Sequence, residues 1–318
     1  YVIQYEQPVN KFDVSVDDIM IPSNKDIYAH FNPASSNPMI IIKNNGKEPL
    51  TSVTIQYGTK GFPMKTFVWK GFLKYNEKAT VTLPSEIDMN KGDNQFIVTL
   101  LKPNNKKDQY PKDNTFYSPF TSCPIHYSPV IFSLLTNNEP HHNAWKLIDQ
   151  NGKVLYERKL GSMLPQKTYF DSLYLSSGSY SLQFTDTMGD GLEFWFNTKG
   201  GRGEARLYNK ENQLIKAFDP DCGSGWVYHF KIGTNPDPVD STFKSMALYP
   251  ARTSDKTTFS YFGNTKEDIT VRLITDPGNI VLEEHTYPML KEGFFTYDLT
   301  RYPYGRFYLV VNTKDKEI

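Results

Sequence analysis

The sequence predicts an all-β fold of three tandem antiparallel β-sandwich domains, which are immunoglobulin-like, jelly-roll-like and immunoglobulin-like in that order. Aromatic residues make up 14% of the 318 residues, while the mean hydropathy is −0.53. This combination is typical of thin β-sandwiches with large solvent-exposed faces. Short runs of alternating apolar and polar residues recur between Asn-Gly, Gly or Pro turns, and no helix-start signal precedes an apolar stripe.

The first domain is predicted over residues 1–122. Its strands are expected in the runs FDVSVDDIMI, PMIIIKNNG, LTSVTIQYG, KTFVWKGFL, KATVTLPS, NQFIVTLLKPN and DNTFYSPF. Strands of this length that follow one another every 8 to 12 residues or so are typical of a β-sandwich.

The second domain is predicted over residues 123–233. The turns DQNGKV and YNKENQL separate alternating runs, so each predicts a β-hairpin. Between two further strands lies SLQFTDTMGDGLEFWFNTKGGRG, residues 181–203, which we call the glycine loop. The following segment, TNPDPVDS at 234–241, carries two prolines and is predicted to be an exposed linker.

The third domain is predicted over residues 238–318. Its strands are expected in SMALYPART, KTTFSYFG, DITVRLIT, NIVLEEH, FFTYDL and YGRFYLVVNT, with an Asp-Pro-Gly-Asn turn at 276–279. A length of about 80 residues fits an immunoglobulin-like sandwich of about seven strands.

Charge and composition narrow the range of partners. The 35 basic and 35 acidic side chains cancel, so neither nucleic acid nor an anionic membrane is an expected partner. No apolar run reaches the roughly 18 residues of a transmembrane segment. Cys123 and Cys222 leave two alternatives open, one disulfide or two unlinked thiols. Because the chain opens on Tyr1 without a signal peptide, we expect a trimmed chain or a C-terminal fragment.

Particular motifs resemble known families. The run IKNNGKEPLTSVTIQY, the strand FVWKGFL and the closing DQYPKDN resemble the CARDB-like immunoglobulin domains of bacterial surface proteins. The runs NAWKLIDQNGKVLYE, LSSGSYSLQFTDTMGDGLEFW and GGRGEARLYNKENQLIKAF are similar to a β-sandwich module that follows catalytic domains in secreted peptidases and glycan-processing enzymes.

The last segment, through ALYPARTSDKTTFSY, ITVRLITDPGNIVLEE and FFTYDLTRYPYGRFYLVV, resembles the C-terminal sorting domain of type IX secretion. Ala251-Arg252 replaces the family's usual Asn-Pro, and the family's final short strand is absent or lost after Ile318. Together the motifs resemble the tails of peptide-N-glycosidase F-like amidases and secreted peptidases. The resemblance implies a secreted or outer-surface protein with a catalytic domain upstream of Tyr1.

The glycine loop is the first candidate site. Carboxylates in a glycine-rich turn suit Ca²⁺, which takes six to eight oxygen ligands, and Asp186, Asp190 and Glu193 would supply them, with Asn137 joining from a neighbouring loop. Met188 stands where an EF-hand would carry another oxygen ligand. The alternative is a cluster of Asx turns in which the carboxylates accept backbone N–H groups.

A catalytic interpretation of the same loop would use Asp186 and Asp190 as the carboxylate pair of a glycosidase. We expect instead a solvated turn, because nothing in the sequence indicates burial that would raise the pKa of either carboxyl. The motifs GxSxG and HExxH are missing, and no Cys has a His motif nearby. No catalytic residue is therefore predicted.

A ligand-binding interpretation uses the aromatic run LEFWF. If this run is a strand, Phe194 and Phe196 share one face and Trp195 takes the other, where it could stack on a sugar beside Arg202 and Glu204. Packing of these aromatics in the core is the alternative.

The sequence thus favours a non-catalytic accessory region of a secreted or surface-attached protein, which mediates adhesion, substrate positioning and export. Its partners would be a glycan or protein surface and the upstream catalytic domain. One alternative is a complete or partial peptide-N-glycosidase-like hydrolase with Asp186 and Asp190 in its site. A second alternative is a free-standing adhesin.

Overall fold

The computed structural model describes residues 8–33, 37–84, 86–194, 196–276 and 280–313. The predicted all-β class is confirmed, since the helices of the described residues are 3₁₀ turns of three residues each. These turns are Asp26–Tyr28, Pro103–Asn105, Pro140–His142, Thr198–Gly200 and Leu299–Arg301. The strands are β1 (Val14–Ile21), β2 (Met39–Asn44), β3 (Leu50–Thr59), β4 (Lys65–Leu73), β5 (Lys78–Thr82), β6 (Asp93–Leu101), β7 (Thr115–Thr121), β8 (Ile125–His126), β9 (Val130–Leu135), β10 (Asn143–Asp149), β11 (Val154–Arg158), β12 (Thr168–Leu173), β13 (Gly178–Asp186), β14 (Glu204–Tyr208), β15 (Leu214–Ala217), β16 (Gly225–Ile232), β17 (Lys244–Tyr249), β18 (Lys256–Thr275), β19 (Val281–Asp298) and β20 (Phe307–Asn312).

The first module is a sandwich of two antiparallel sheets, ordered β1-β2-β5 and β4-β3-β6-β7. Alternate residues of each strand face inward, as the 2-residue period of a strand requires. In β2, for example, Ile40 and Ile42 are fully buried while their neighbours are partly exposed. The predicted run KTFVWKGFL coincides with β4, and Trp69 packs against the core.

The second module has a five-stranded sheet, β11-β10-β13-β16-β8, over a four-stranded one, β12-β9-β14-β15. Both predicted hairpins are present, as β10–β11 and β14–β15. The short β8 pairs with β16 in parallel, which departs from the antiparallel prediction. Aromatic rings fill the core: Trp226 stacks on Phe218 with centroids 3.7 Å apart, and Trp145 meets Phe132 edge to face.

The described part of the third module has four strands, fewer than the six predicted runs and the expected seven strands, because two pairs of predicted runs are continuous. KTTFSYFG and DITVRLIT form β18, and NIVLEEH and FFTYDL form β19. The first half of β18 pairs with β17 and the second half with β20, while β19 pairs with both halves. Residues 277–279 of the predicted turn lie outside the described residues.

The long hairpin doubles back on itself. Tyr287 and Phe295 would lie roughly 27 Å apart on a straight strand, yet their rings stack at 3.8 Å. The register between β18 and β19 shifts around Glu267, where the bend occurs. Phe259 from one half of β18 and Leu273 from the other therefore share a core with Val311 of β20. The module is a two-layered sandwich built from a bent hairpin.

Candidate functional site

The first six residues of the glycine loop belong to β13, and its described residues 187–194 and 196–203 connect β13 to β14 without a further strand. The backbone N–H groups of Leu192 and Glu193 donate to Pro220 O at 2.8 and 3.1 Å, so the segment packs against the 219–222 turn. Gly191 has φ +66°, and a Cβ there would lie 2.7 Å from the same oxygen. The described residues of LEFWF do not form a strand, although the rings of Phe194 and Phe196 still lie 6.4 Å apart. Trp195 lies outside the described residues.

Asp186 is buried, with 5% of its surface exposed, so the expectation of a solvated turn is wrong for this residue. Its Oδ1 accepts the N–H groups of Met188 and Gly189 at 2.8 and 2.6 Å, which is the geometry of an Asx turn. Its Oδ2 accepts from Asn143 Nδ2 at 2.5 Å. Burial raises the pKa of Asp186. The three donors offset the cost of burying its carboxylate away from water.

Of the other predicted calcium ligands, Asn137 and Asp190 make contacts within the glycine loop, whereas Glu193 pairs with Arg202. Asn137 does reach the loop, where its Nδ2 donates to Gly191 O at 3.3 Å, and Asp190 Oδ2 accepts from Asn197 at 3.4 Å. Glu193 turns instead toward Arg202. Among the described residues, no group of three or more His, Cys, Asp or Glu side chains is arranged to hold a metal. Calcium at this loop stays a prediction that these contacts do not support.

Ionised side chains form a chain that leaves the glycine loop and ends on the third module. We call it the ion-pair chain, and its contacts are Glu193 Oε2–Arg202 Nη1 at 3.2 Å, Arg202 Nη2–Glu204 Oε1 at 3.4 Å, Glu204 Oε2–Arg206 Nη2 at 2.7 Å and Arg206 Nη1–Glu292 Oε1 at 3.0 Å. Arg202 and Glu204, two of the predicted ligand-binding residues, thus form an ion pair with each other.

Burial makes the ion-pair chain a structural element. Its four members in the second module keep only 10 to 16% of their side-chain surface exposed, while Glu292 keeps 48%. Burial raises the pKa of Glu193, and the charge of Arg202 partly offsets this. The contact between these two is electrostatic, since Glu193 Oε2 and Arg202 Nε make no hydrogen bond. Taking one partner away would leave a buried charge uncompensated.

The ion-pair chain lines one wall of a cleft of about 410 Å³ between the second and third modules. Asp219 and Asp221 add carboxylates to that wall, and residues 245–248 of β17 form the opposite wall. Arg202 and Glu204 therefore do line a cavity, but with their charged groups already paired.

The junction with the first module involves residues that sequence reasoning missed. Asn32 Nδ2 donates to the carbonyl oxygens of Tyr180 and Phe230 at 2.8 and 3.3 Å. His229 contacts Ala29 O through Nε2 at 2.9 Å and Ser181 Oγ through Nδ1 at 2.7 Å. A serine on a histidine suggests a nucleophile and its base, but Ser181 is 4% exposed and is simply the cross-strand neighbour of His229. We interpret the pair as a junction contact.

Cys123 and Cys222 are unlinked, so the thiol alternative is the one observed. Cys123 is buried beside Asn32, and burial raises its pKa to about 12. Cys222 lies behind Gly191, and burial raises its pKa to about 11. Neither thiol is poised to act as a nucleophile at neutral pH.

The described residues contain no helix of the length and apolarity needed to cross a bilayer. No protein-family model matches the chain, and no curated protein matches it in sequence.

Three solved structures illustrate what the chain is similar to. The first is dimeric latent PorU from Porphyromonas gingivalis, with 9% identity, a TM-score of 0.28, and coverage of 99% of this chain and 33% of that chain. The BSP domain of a biofilm-associated protein has 10% identity and a TM-score of 0.24, with coverage of 99% of this chain and 66% of that chain. A bacterial ice-binding adhesin has 12% identity and a TM-score of 0.20, with coverage of 97% of this chain and 95% of that chain. The chain thus spans a third of the PorU chain. At TM-scores this low the likeness carries no argument about function.

Proposed function

We propose that this chain is a stiff, non-catalytic accessory region of a secreted or surface-attached bacterial protein, which positions a partner domain or its substrate and contributes to adhesion. The observation that carries the proposal is the ion-pair chain. Its charged side chains pair with one another within the second module, and Arg206 also pairs with Glu292 across the junction to the third.

Both junctions are held by specific polar contacts in addition to packing. At the second junction the side chain of Asn264 accepts from Leu214 N–H at 2.7 Å and donates to Leu214 O at 2.9 Å, much as a paired strand would. At the first junction Asn32 and His229 bind backbone carbonyls of the opposite module. Domain motion is the default for tandem modules with small polar interfaces, and these contacts oppose it.

The glycine loop serves the same purpose in this proposal. The carboxylate of Asp186 accepts three hydrogen bonds, which leaves it a poor general acid or nucleophile. A hydrolysis screen on glycopeptides and peptides tests this directly, with Asp186→Ala and Asp190→Ala as companions. Turnover by the wild-type chain that either substitution abolishes would establish the hydrolase alternative and overturn the accessory role.

Stiffness has its own test. Small-angle scattering on the wild-type chain should fit one elongated particle, whereas Glu292→Gln combined with Asn264→Ala should broaden the distance distribution. A wild-type chain as flexible as this double variant would contradict a positioning role.

Adhesion and export are tested separately. Retention of the purified chain on a glycoprotein-coated surface would support contact with a glycan or protein surface, and would favour the free-standing adhesin if no upstream domain enhanced it. The third module, fused to a reporter in a type IX-competent cell, should direct the reporter to the outer surface. A reporter that stays inside would remove export from the proposal.

A further inference from the structure

A second groove opens between the second and third modules, on the face of the sheet β12-β9-β14-β15 that is turned away from the core. Its volume is about 540 Å³, and sites for small ligands occupy roughly 300–1,000 Å³. Phe170 of β12 and Phe294 of β19 both line it, so each module contributes one phenyl ring. These residues are 68% and 56% exposed. Two exposed rings in one concave site are typical of a surface that binds a ligand.

Strand register relates the two rings through the Arg206–Glu292 ion pair. Phe170 lies opposite Ser133 of β9, and Ser133 lies opposite Arg206 of β14, so these side chains form one row across the sheet. Neighbouring strands lie about 4.8 Å apart, which puts Phe170 about 10 Å from Arg206. Glu292, 3.0 Å from Arg206, precedes Phe294 by two residues and shares its face of β19. The ion pair thus links the row that carries one ring to the strand that carries the other.

Polar side chains along the same groove have hydrogen-bonding groups to spare. Thr168 begins β12, Asn212 lies in the turn between β14 and β15, and Lys291 lies on β19. Among the described residues, the Thr168 hydroxyl, the Asn212 amide and the Lys291 ammonium group take part in no hydrogen bond or ion pair. The groove therefore offers a hydroxyl, an amide and an ammonium group to a ligand with several donors and acceptors.

Charge in the groove is balanced. The ionised side chains that line it are two glutamates, one arginine and one lysine, which sum to zero: Glu204, Glu292, Arg206 and Lys291. Arg206 pairs with both glutamates. Neither an anionic nor a cationic ligand would find an excess of opposite charge, so the lining is complementary to a neutral ligand.

We propose that this groove binds a neutral glycan through pyranose rings whose hydroxyl groups are all equatorial, as in glucose and N-acetylglucosamine. Such a ring presents axial C–H groups on both faces, which pack on phenyl rings, and hydroxyl groups around its edge, which exchange hydrogen bonds with Thr168, Asn212 and Lys291. An apolar peptide side chain would fill the same space but leave these polar groups without partners, at a cost in affinity. The inference rests on the adhesive part of the proposed function and gives it a ligand class and a site.

Titration calorimetry of the whole chain with cellotetraose and with N-acetylchitotetraose tests this site. At least one of the two sugars should bind the wild type. Phe170→Ala and Phe294→Ala should each weaken that binding by about tenfold, because each removes one stacking surface. Both side chains are exposed, so neither substitution should lower the unfolding temperature appreciably.

Phe72→Ala is the matched control. Phe72 lies on β4 of the first module and is 60% exposed, so this substitution removes a comparable ring far from the groove and should leave sugar binding unchanged. A β-1,4-galactotetraose has an axial hydroxyl on one face of each ring and should bind more weakly than cellotetraose.

The outcomes separate this site from the adhesive role on which it rests. A wild type that binds neither cellotetraose nor N-acetylchitotetraose would overturn the glycan site, and its retention on a glycoprotein-coated surface would then leave adhesion standing without it. Sugar binding that survives both Phe170→Ala and Phe294→Ala would place the glycan elsewhere and also overturn the site. Retention lost on either substitution, without any sugar binding, would assign the groove to a protein partner instead. Sugar binding without retention would keep the site and remove adhesion.

Discussion

Arg206 and Glu292 join two modules through one guanidinium. Arg206 Nη1 lies 3.0 Å from Glu292 Oε1 on β19, while Nη2 lies 2.7 Å from Glu204 on its own strand. The guanidinium also stands 5.1 Å from the ring of Phe262, a third-module residue that meets Tyr208 edge to face. One buried side chain thus supplies an ion pair on each side of the junction and a cation–π contact across it.

Arg206→Met should destabilise the chain by about 3 kcal/mol, because it leaves the buried Glu204 without its nearest cation. Chemical denaturation measures the loss. Arg301→Met is the control: Arg301 is 70% exposed and lies 4.0 Å from Asp298, so its loss should cost at most about 0.5 kcal/mol. Equal effects of the two substitutions would contradict a structural role for the ion-pair chain.

Asn264→Ala should expose the linker at 234–241 to proteases. The Asn264 side chain bonds Leu214 N–H and O and also donates to Asp240 O at 2.8 Å, so it anchors the end of the linker. Limited proteolysis should cut the variant severalfold faster than the wild type. Asn94→Ala removes bonds that stay within the first module, to residues 90 and 92, and should leave linker cleavage unchanged.

Asp186→Ala should destabilise the second module by about 1–3 kcal/mol, since Met188 and Gly189 N–H would lose their acceptor. Asp186→Asn should cost much less. Its Oδ1 can accept the same N–H groups, and once the Asn143 amide flips, its own amide can donate to Asn143 Oδ1, which has no partner in the wild type. Thermal unfolding of both variants checks the order. Asparagine as damaging as alanine would show that the negative charge itself matters.

His126 should make the chain less stable in mild acid. Burial lowers its pKa to about 4, against 6.5 in the unfolded chain. As pH falls from about 7 to 4, the unfolded chain takes up a proton that the folded chain refuses, so stability is lost across that window. His126→Gln should flatten the decline in unfolding temperature relative to the wild type. His141→Gln, which replaces an exposed histidine of the same module, should not.

Strand positions followed from the sequence because alternation is a local property. The run KTFVWKGFL has the period of a strand with one face packed, and it forms β4 over the same nine residues. The doubled-back hairpin was not predictable in this way. Gly263 and Asn264 indicate a turn, but β18 runs on through them, and its pairing with β19 stops at Phe262 and resumes at Glu267.

The candidate site was predicted less well than the fold. Asp186, Arg202 and Glu204 stood out by residue type, and the structure places all three at the loop or the cleft beside it. Arg202 and Glu204 pair with residues close in sequence, whereas Asp186 pairs with Asn143, 43 residues away, and Arg206 pairs with Glu292, 86 residues away. The distant pairs depend on how strands and modules come together, which no local pattern encodes.

The bent hairpin also dictates an order of assembly. Residues 270–275 of β18 pair with residues 307–312 of β20, so the second layer of the third module cannot close until the last described strand has been synthesised. Until then the edge of β18 is unpaired and its apolar face is exposed to solvent. An exposed edge of this kind can pair with strands of other chains and lead to aggregation. Formation of the first two modules has no such dependence, since their cores use residues up to 232. Of the three modules, the third is therefore the last that can complete its core during synthesis.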